Sequence, residues 1–238
     1  MGATPSVLKI KELESEPGLV HGFSTLAIGS VGLTHALDRA AVLAARRVFA
    51  RELGLDAGPL TVAGAIHCSR VARIDRPEDA VVDGVDALVT DRPNVALFAA
   101  YADCYPIVLW DPQRRCAALV HAGWRGTEAG VAAAALQALR DEFGSDPAQL
   151  RAGLGPGICG RCYEVGGEVA SRFASDFVSQ SPDGRFMLDL AAANRAQLAA
   201  GGVLKINSLS LCTKETEYLP SHRRAPDGAR FGAIVSIR

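Results

Sequence analysis

Apolar runs of strand length alternate along this chain with longer stretches rich in alanine, leucine and arginine, and turn residues separate most of them. Residues 19–25 predict a strand, interrupted by the glycines at 29 and 32. Asp38 is placed to cap a helix over 40–53, with Leu43, Val48 and Phe49 among its apolar contacts. Residues 60–66 and 71–74 read as strands on either side of a turn that carries His67. The middle is the most strand-dense part. There 87–90, 95–101, 107–111 and 116–121 are short apolar runs joined by Asp-Arg-Pro-Asn, Asp-Cys-Tyr-Pro and Asp-Pro-Gln-Arg turns. Thr127 is the expected cap of one long alanine-rich helix ending at Phe143-Gly144, where glycine suits the position past the last turn. Helices are expected over 167–178 and from an Asp189 cap to 200, and closing strands over 203–208 and 231–237. Clustered strands with helices mostly outside them predict one α+β, or mixed α/β, domain over residues 1–238.

At 238 residues the chain is long enough to bury a sizeable core. Its 25 basic and 26 acidic side chains leave a net charge of -1, which argues against a nucleic-acid groove built on bulk positive charge. No apolar run approaches the roughly 18–20 residues of a membrane span, and the charged N-terminal stretch lacks the apolar segment of a secretion signal. Met1-Gly2 with Ser6 meets the myristoylation pattern formally, as short motifs often do by chance. A cytoplasmic protein without nucleic-acid or membrane partners is the expectation. The six cysteines at 68, 104, 116, 159, 162 and 212 are then expected as thiols or ligands, not a disulfide framework.

Three of the loop-proximal residues could meet in one cleft. Cys104 sits in Ala102-Asp103-Cys104-Tyr105-Pro106 between two strands, His121 ends a strand and opens His-Ala-Gly-Trp-Arg-Gly, and His67 lies at another strand end. One thiolate and two imidazoles suit zinc, with the fourth tetrahedral position open as in catalytic sites. The spacing is not that of a zinc finger, and the residues taken singly also read as a small buried hydrophobe and two hydrogen-bonded histidines. Asp103 reads equally as acid/base or as a residue that ties down its turn. Gly155-Pro156-Gly157 reads as a phosphate cradle or a plain turn. Arg223 and Arg224 read as a solvated pair, and His21, His35 and His222 have no evident partner. Cys159-x-x-Cys162 would be a redox pair if it opened a helix in a thioredoxin-like βαβ unit, and as half a zinc site it lacks a second pair spaced to complete it.

The run ADCYPIVLWDP followed by CAALVHAGWRGTEAG closely resembles the core signature of the YfiH/YlmD family of polyphenol oxidase or laccase-domain proteins. DALVTDRP, GLGPGICGRCYEVGGEV, LDLAAANRAQLAAGGV, SLCT and SHRR extend the resemblance, in order, over most of residues 60–238. It implies a compact αββα-like fold and a zinc site whose ligands fall on His67, Cys104 and His121. The N-terminal part departs from the family pattern. Leu26 stands where an arginine is expected, the loop over 27–38 is shortened, and Ala65-Ile66-His67-Cys68 replaces Gln-Val-His-Gly. These changes spare the metal ligands and fall on the substrate side.

The resemblance implies zinc-dependent purine nucleoside phosphorolysis (adenosine, inosine or methylthioadenosine) and adenosine deamination, with Cys104, His121, Asp103 and Arg125 as catalytic residues. Zinc would activate a water toward C6 of adenine. Arg125, expected at the start of the long helix, would hold phosphate together with the helix N–H groups. Alternatives are a copper-dependent polyphenol oxidase, a Cys–His hydrolase of peptidoglycan precursors using Cys104 and His121, and an inactive paralogue. Copper is disfavoured because only Met1 and Met187 could be axial ligands, and five histidines are too few for a mononuclear site plus a trinuclear cluster.

Overall fold

Alternate residues of a strand face opposite ways, and the central hairpin shows where each face goes. In Tyr105–Asp111 and Cys116–Ala122 every residue is buried. Val108, Trp110, Ala117 and Leu119 enter one core layer, while Ile107, Leu109, Ala118 and Val120 enter another. A sheet covered on both faces needs such unbroken apolar strands, which is why these runs stand out in the sequence. The computed structural model describes residues 4–34, 36–56 and 58–238; the Met1-Gly2 motif and His35 lie outside the described residues.

Two six-stranded mixed sheets stack face to face. One runs in space as Val7–Leu8, Leu19–Ser24, Phe231–Ile237, Ala96–Tyr101, Leu60–Gly64 and Val81–Asp83. The other runs as Lys205–Ser208, Arg151–Leu154, Tyr105–Asp111, Cys116–Ala122, Ala87–Thr90 and Val71–Arg73. Between them Phe23, Leu97, Tyr101, Phe231 and Val235 meet Leu88, Val108, Trp110 and Leu119. Helix Arg39–Glu52 covers the outer face of the first sheet, with Ala45, Phe49 and Ala50 on Val20, Phe98 and Ile234. Helices Val131–Phe143 and Leu190–Ala200 cover the second through Leu136, Leu139, Leu190 and Leu198. The layering is α–β–β–α. No helix among the described residues is long and apolar enough to cross a membrane.

Several local expectations change. The buried stripe of Arg39–Glu52 is Val42, Ala45, Arg46, Phe49 and Ala50, so Leu43 and Val48 are exposed instead. Arg46 is buried because its guanidinium lies 4.5 Å over the Phe98 ring and its Nε donates to the Val31 carbonyl at 2.9 Å. Thr127 does not cap a long helix. It lies inside a short one, Trp124–Glu128, and Gly130 in the left-handed region (φ 78) breaks the chain before Val131–Phe143 starts. Thr127 instead accepts from Asn194 Nδ2 at 3.0 Å, tying that short helix to Leu190–Ala200. The helix expected over 167–178 stops at Ala170, because Val178–Gln180 pairs with Phe186–Leu188 across a Ser-Pro-Asp-Gly turn. A nearby strand partner outweighs local helix propensity.

His21, which had no evident partner in the sequence, faces the inter-sheet layer beside Phe23 and accepts the Ile10 N–H at 3.0 Å. Burial, followed by the charge of Lys9, lowers its pKa from 6.5 to about 4. The unfolded chain therefore takes up a proton at His21 that the fold excludes, and stability is lost as pH falls from 6.5 through about 4. In His21→Gln, which keeps an acceptor but does not titrate, the loss of unfolding free energy between neutral pH and pH 4 should shrink by about 3 kcal/mol. Urea unfolding at the two pH values measures it, and an unchanged loss would mean that folded His21 is protonated.

Candidate metal centre

Strand period decides what the end of the second sheet presents. Ala117 and Leu119 of Cys116–Ala122 face the first sheet, and His121 follows them in the same sense. There its ring centroid is 5.1 Å from that of Tyr101, the last residue of Ala96–Tyr101. The chain leaving that strand turns through Asp103 in the left-handed region (φ 77) and brings Cys104 against the same layer. His67 arrives from the turn after Leu60–Gly64, also left-handed (φ 64), with its ring centroid 5.1 Å from that of His121. His67 Nε2 is 3.9 Å from Cys104 Sγ, and the donor atoms of all three residues lie within 4.8 Å of one another. His67 is exposed, Cys104 half-buried and His121 buried, so the cluster is closed on the protein side and open on one flank.

The residue that organises this arrangement is Asp86, to which the sequence analysis assigns no role. Its carboxylate is fully buried. Oδ1 accepts the N–H of His67 at 3.0 Å, and Oδ2 accepts those of Ile66 at 3.0 Å and Cys68 at 2.9 Å. Oδ1 also lies 2.8 Å from His121 Nδ1. One carboxylate thus shapes the turn that carries His67 and fixes the ring of His121, leaving the far nitrogen, Nε2, free toward Cys104. Burial alone would raise the Asp86 carboxyl, but His121 and the N–H of Cys68 hold it well below the usual range. In the sequence Asp86 shows as an acidic residue opening the apolar run Ala87-Leu88-Val89 and as the first residue of DALVTDRP, one of the stretches that carry the family resemblance, with no role attached to it there.

Burial opposes ionisation of Cys104 and His121 as well, yet each favours charge on the other. The Cys104 thiol is lowered by His121 and His67, and the His121 imidazole is raised by Cys104 and Asp86. Without a metal the pair thus favours a Cys104 thiolate beside a protonated His121, and a metal taking both as donors would displace the His121 proton. Gly123 makes room for the cluster. A Cβ there would lie 2.7 Å from His67 Cδ2 and 2.9 Å from Cys104 Sγ, so only glycine lets the chain pass under these two side chains after His121.

The other predicted residues divide. Asp103 adjoins the cluster, but both its oxygens are engaged, by Thr213 Oγ1 at 2.6 Å and the Arg223 N–H at 2.8 Å. Arg125 is exposed, with its guanidinium 4.2 Å over the Trp124 ring. It stands on the five-residue helix rather than at the start of a long one, so the helix N-terminus adds little to an anion site. Tyr163 marks the wall they share: burial and Cys104 push its hydroxyl up to about 12, while Arg223 and Arg125 act in the opposite sense. Gly155-Pro156-Gly157 is buried, and a Cβ on Gly157 would sit 2.6 Å from the Tyr105 ring. Packing accounts for the glycine there, in place of a phosphate cradle. Arg223 and Arg224 are both exposed, as expected of a solvated pair, but their guanidinium groups are tied to the protein. Arg223 donates to the Glu164 carbonyl at 2.6 Å and lies over Tyr163, while Arg224 donates to the carbonyls of Thr213, Lys214, Thr216 and Leu219. His222 is exposed.

Asp86→Asn places an amide where backbone N–H groups need an acceptor and weakens the hold on His121. Metal affinity should fall by about 10- to 100-fold, read by competition with a chromogenic chelator. Gly123→Ala should lower it too by pushing His67 and Cys104 apart. Unaltered affinity in both variants would mean that neither residue organises the ligands.

The family model described as multi-copper polyphenol oxidoreductase laccase matches residues 20–238. A purine nucleoside phosphorylase of Streptomyces coelicolor is 38% identical over 202 residues, covering 83% of each chain. An adenosine deaminase from an unknown prokaryotic organism is 39% identical over 185 residues, covering 71% of this chain and 70% of that protein. Among solved structures, the hypothetical protein YfiH of Bacillus licheniformis superposes with a TM-score of 0.92 at 27% identity, covering 99% of this chain and 97% of that one. YlmD of Geobacillus stearothermophilus superposes with a TM-score of 0.91 at 26% identity, covering 100% and 98%. With the match running almost from end to end, the chain belongs to the multi-copper polyphenol oxidoreductase laccase family, that of YfiH and YlmD.

Proposed function

We propose that this chain is a zinc-dependent purine nucleoside phosphorylase, a single catalytic domain over residues 1–238 whose metal is held by His67, Cys104 and His121. The observation that carries the reading is the convergence of these three donors, within 4.8 Å and open on the His67 flank. One thiolate and two imidazoles, three protein donors with room for a fourth from water or substrate, match a catalytic zinc set. The relatives named as purine nucleoside phosphorylases support the substrate class. The relative named as an adenosine deaminase supports deamination at the same centre as a second activity.

Zinc over copper rests on the donor set. Among the described residues the one methionine is Met187, on the strand Phe186–Leu188, which lines a cleft beside Cys159 and Cys162 and not this cluster. A weak axial sulfur of the blue-copper kind is thus lacking among them. Zinc, when bound, supplies Lewis-acid chemistry. The chain's own residues do the rest. Asp86 keeps His121 in the tautomer that offers Nε2. Asp103 holds the Cys104 turn, a positioning role in which its two engaged oxygens leave little freedom for proton transfer. Arg125, exposed and steadied on Trp124, offers a planar two-pronged donor for phosphate. The substrates are a purine nucleoside and inorganic phosphate.

Cys104→Ala should lose the zinc of this centre and with it phosphate-dependent release of base from adenosine, inosine or methylthioadenosine. Elemental analysis beside a nucleoside assay measures both. Undiminished turnover in protein lacking that zinc would overturn the reading, and copper in place of zinc would return the oxidase.

A further inference from the structure

Cys159-x-x-Cys162 does acquire a second pair, and the fold supplies it. Cys212 and Glu215, themselves three apart, arrive from more than fifty residues downstream. The three sulfurs and a Glu215 carboxylate oxygen lie within 4.8 Å of one another. Zinc–thiolate bonds of about 2.3 Å place tetrahedral ligands roughly 3.8 Å apart, so small side-chain adjustments suffice. We infer that Cys159, Cys162, Cys212 and Glu215 form a second zinc site, structural in character, joining the segment 157–163 to the segment 211–216.

The backbone is shaped for it. Each pair spans one turn: the Cys162 and Tyr163 N–H groups donate to the Cys159 carbonyl at 2.9 and 3.0 Å, and the Thr216 N–H donates to that of Cys212 at 2.9 Å. The two turns are laced by Gly157 N–H to the Leu211 carbonyl at 3.2 Å and Thr213 N–H to that of Gly157 at 3.0 Å. Cys212 Sγ is buried and accepts the Cys159 N–H at 3.3 Å, the kind of outer contact that steadies a ligating thiolate. Glu215 is aimed by Arg161, whose Nη2 donates to its oxygens at 3.3 and 3.2 Å. Cys162 Sγ already contacts Glu215 Oε1 at 3.4 Å.

Donor chemistry selects the occupant. Three thiolates and one carboxylate are a soft, closed set of four, which suits zinc and leaves no position for substrate. Three thiolates and a carboxylate exceed the charge of a divalent ion, and Arg161 and Lys214 beside the cluster offset part of the excess. Two clefts, of about 670 and 600 Å³, have Cys159 and Arg161 in their walls and offer a way in. The joined segments both hold Asp103: Ile158 N–H donates to its carbonyl at 2.9 Å and Thr213 Oγ1 to its carboxylate at 2.6 Å. A metal there braces the turn that presents Cys104.

The test is metal analysis of purified, reduced full-length protein, with Cys104→Ser, Cys162→Ser and the double variant alongside. About two zinc ions per wild-type chain are expected, about one in each single variant and none in the double. Cobalt-substituted Cys104→Ser should show intense sulfur-to-cobalt charge-transfer absorption, which keeps the inference open to refutation even where Cys162→Ser folds poorly. Zinc lost by Cys162→Ser but kept by Cys104→Ser supports this site and counts against zinc at the first one. Cys104→Ser protein free of zinc and without the cobalt absorption overturns it. So does denaturing alkylation of protein prepared without reductant that finds two of the cysteines at 159, 162 and 212 joined as a disulfide.

Discussion

Everything at the open end of the sandwich depends on one buried carboxylate. Asp86 has no access to water, and an ionised group in that position is tolerable only if several donors surround it. Three consecutive N–H groups of the turn 66–68 and the ring of His121 are those donors. The dependence runs both ways. Without the carboxylate, the left-handed conformation of His67 has nothing to oppose its strain, and the His121 ring is free to turn its other nitrogen inward. Because the Asp86 carbonyl also accepts the His121 N–H, at 2.6 Å, side chain and backbone of one residue hold both imidazoles of the cluster.

Such a device is nearly invisible in the sequence, and the reason is physical. Asp86 acts across 18 to 35 residues of chain, through contacts that no local period encodes. What was legible was local. Strands 87–90 and 231–237 were legible to the residue because two-sided burial demands unbroken apolar runs. The helix Leu190–Ala200 was legible from its Asp189 cap, whose carboxylate accepts the Ala192 N–H at 2.9 Å. His67, Cys104 and His121 could be picked out as strand-end donors, and the resemblance carried by ADCYP and HAGWRG tied them together. The break at Gly130 does not show in the sequence because Glu128, Ala129 and Ala132 beside it are good helix formers and a lone glycine is tolerated inside a helix. Thr127 is held by Asn194 Nδ2 on its hydroxyl and by Gln197 Nε2 on its carbonyl, and the chain turns after it.

Cys159-x-x-Cys162 teaches the complementary lesson. Spacing arguments search for a second Cys or His pair, and the partner here is a Cys-x-x-Glu whose carboxylate is among the commonest of surface groups. The parallel pair Arg151–Leu154 with Lys205–Ser208, continued by the isolated bridge between Gly157 and Cys212, brings the two segments into register. A short sequence motif can thus report half of a site, with the other half fixed by topology.

The two clusters differ in a way that matches their surroundings. The His67–Cys104–His121 set sits where two sheets end, with three donors and an exposed flank, the form that the proposed catalytic role requires. The Cys159–Cys162–Cys212–Glu215 set has four donors and lies between loops that carry no sheet hydrogen bonds beyond that one bridge. Loops without ladder bonds are the cheapest places to open, and these loops position Asp103, hence the Cys104 turn. A cross-link is worth most where the backbone contributes least. The departures at Leu26 and over 27–38 fall elsewhere: Leu26 is bonded through its N–H to the Tyr218 carbonyl at 2.9 Å, with its side chain exposed. They alter a rim and leave untouched both the carboxylate that organises the first cluster and the turns that build the second.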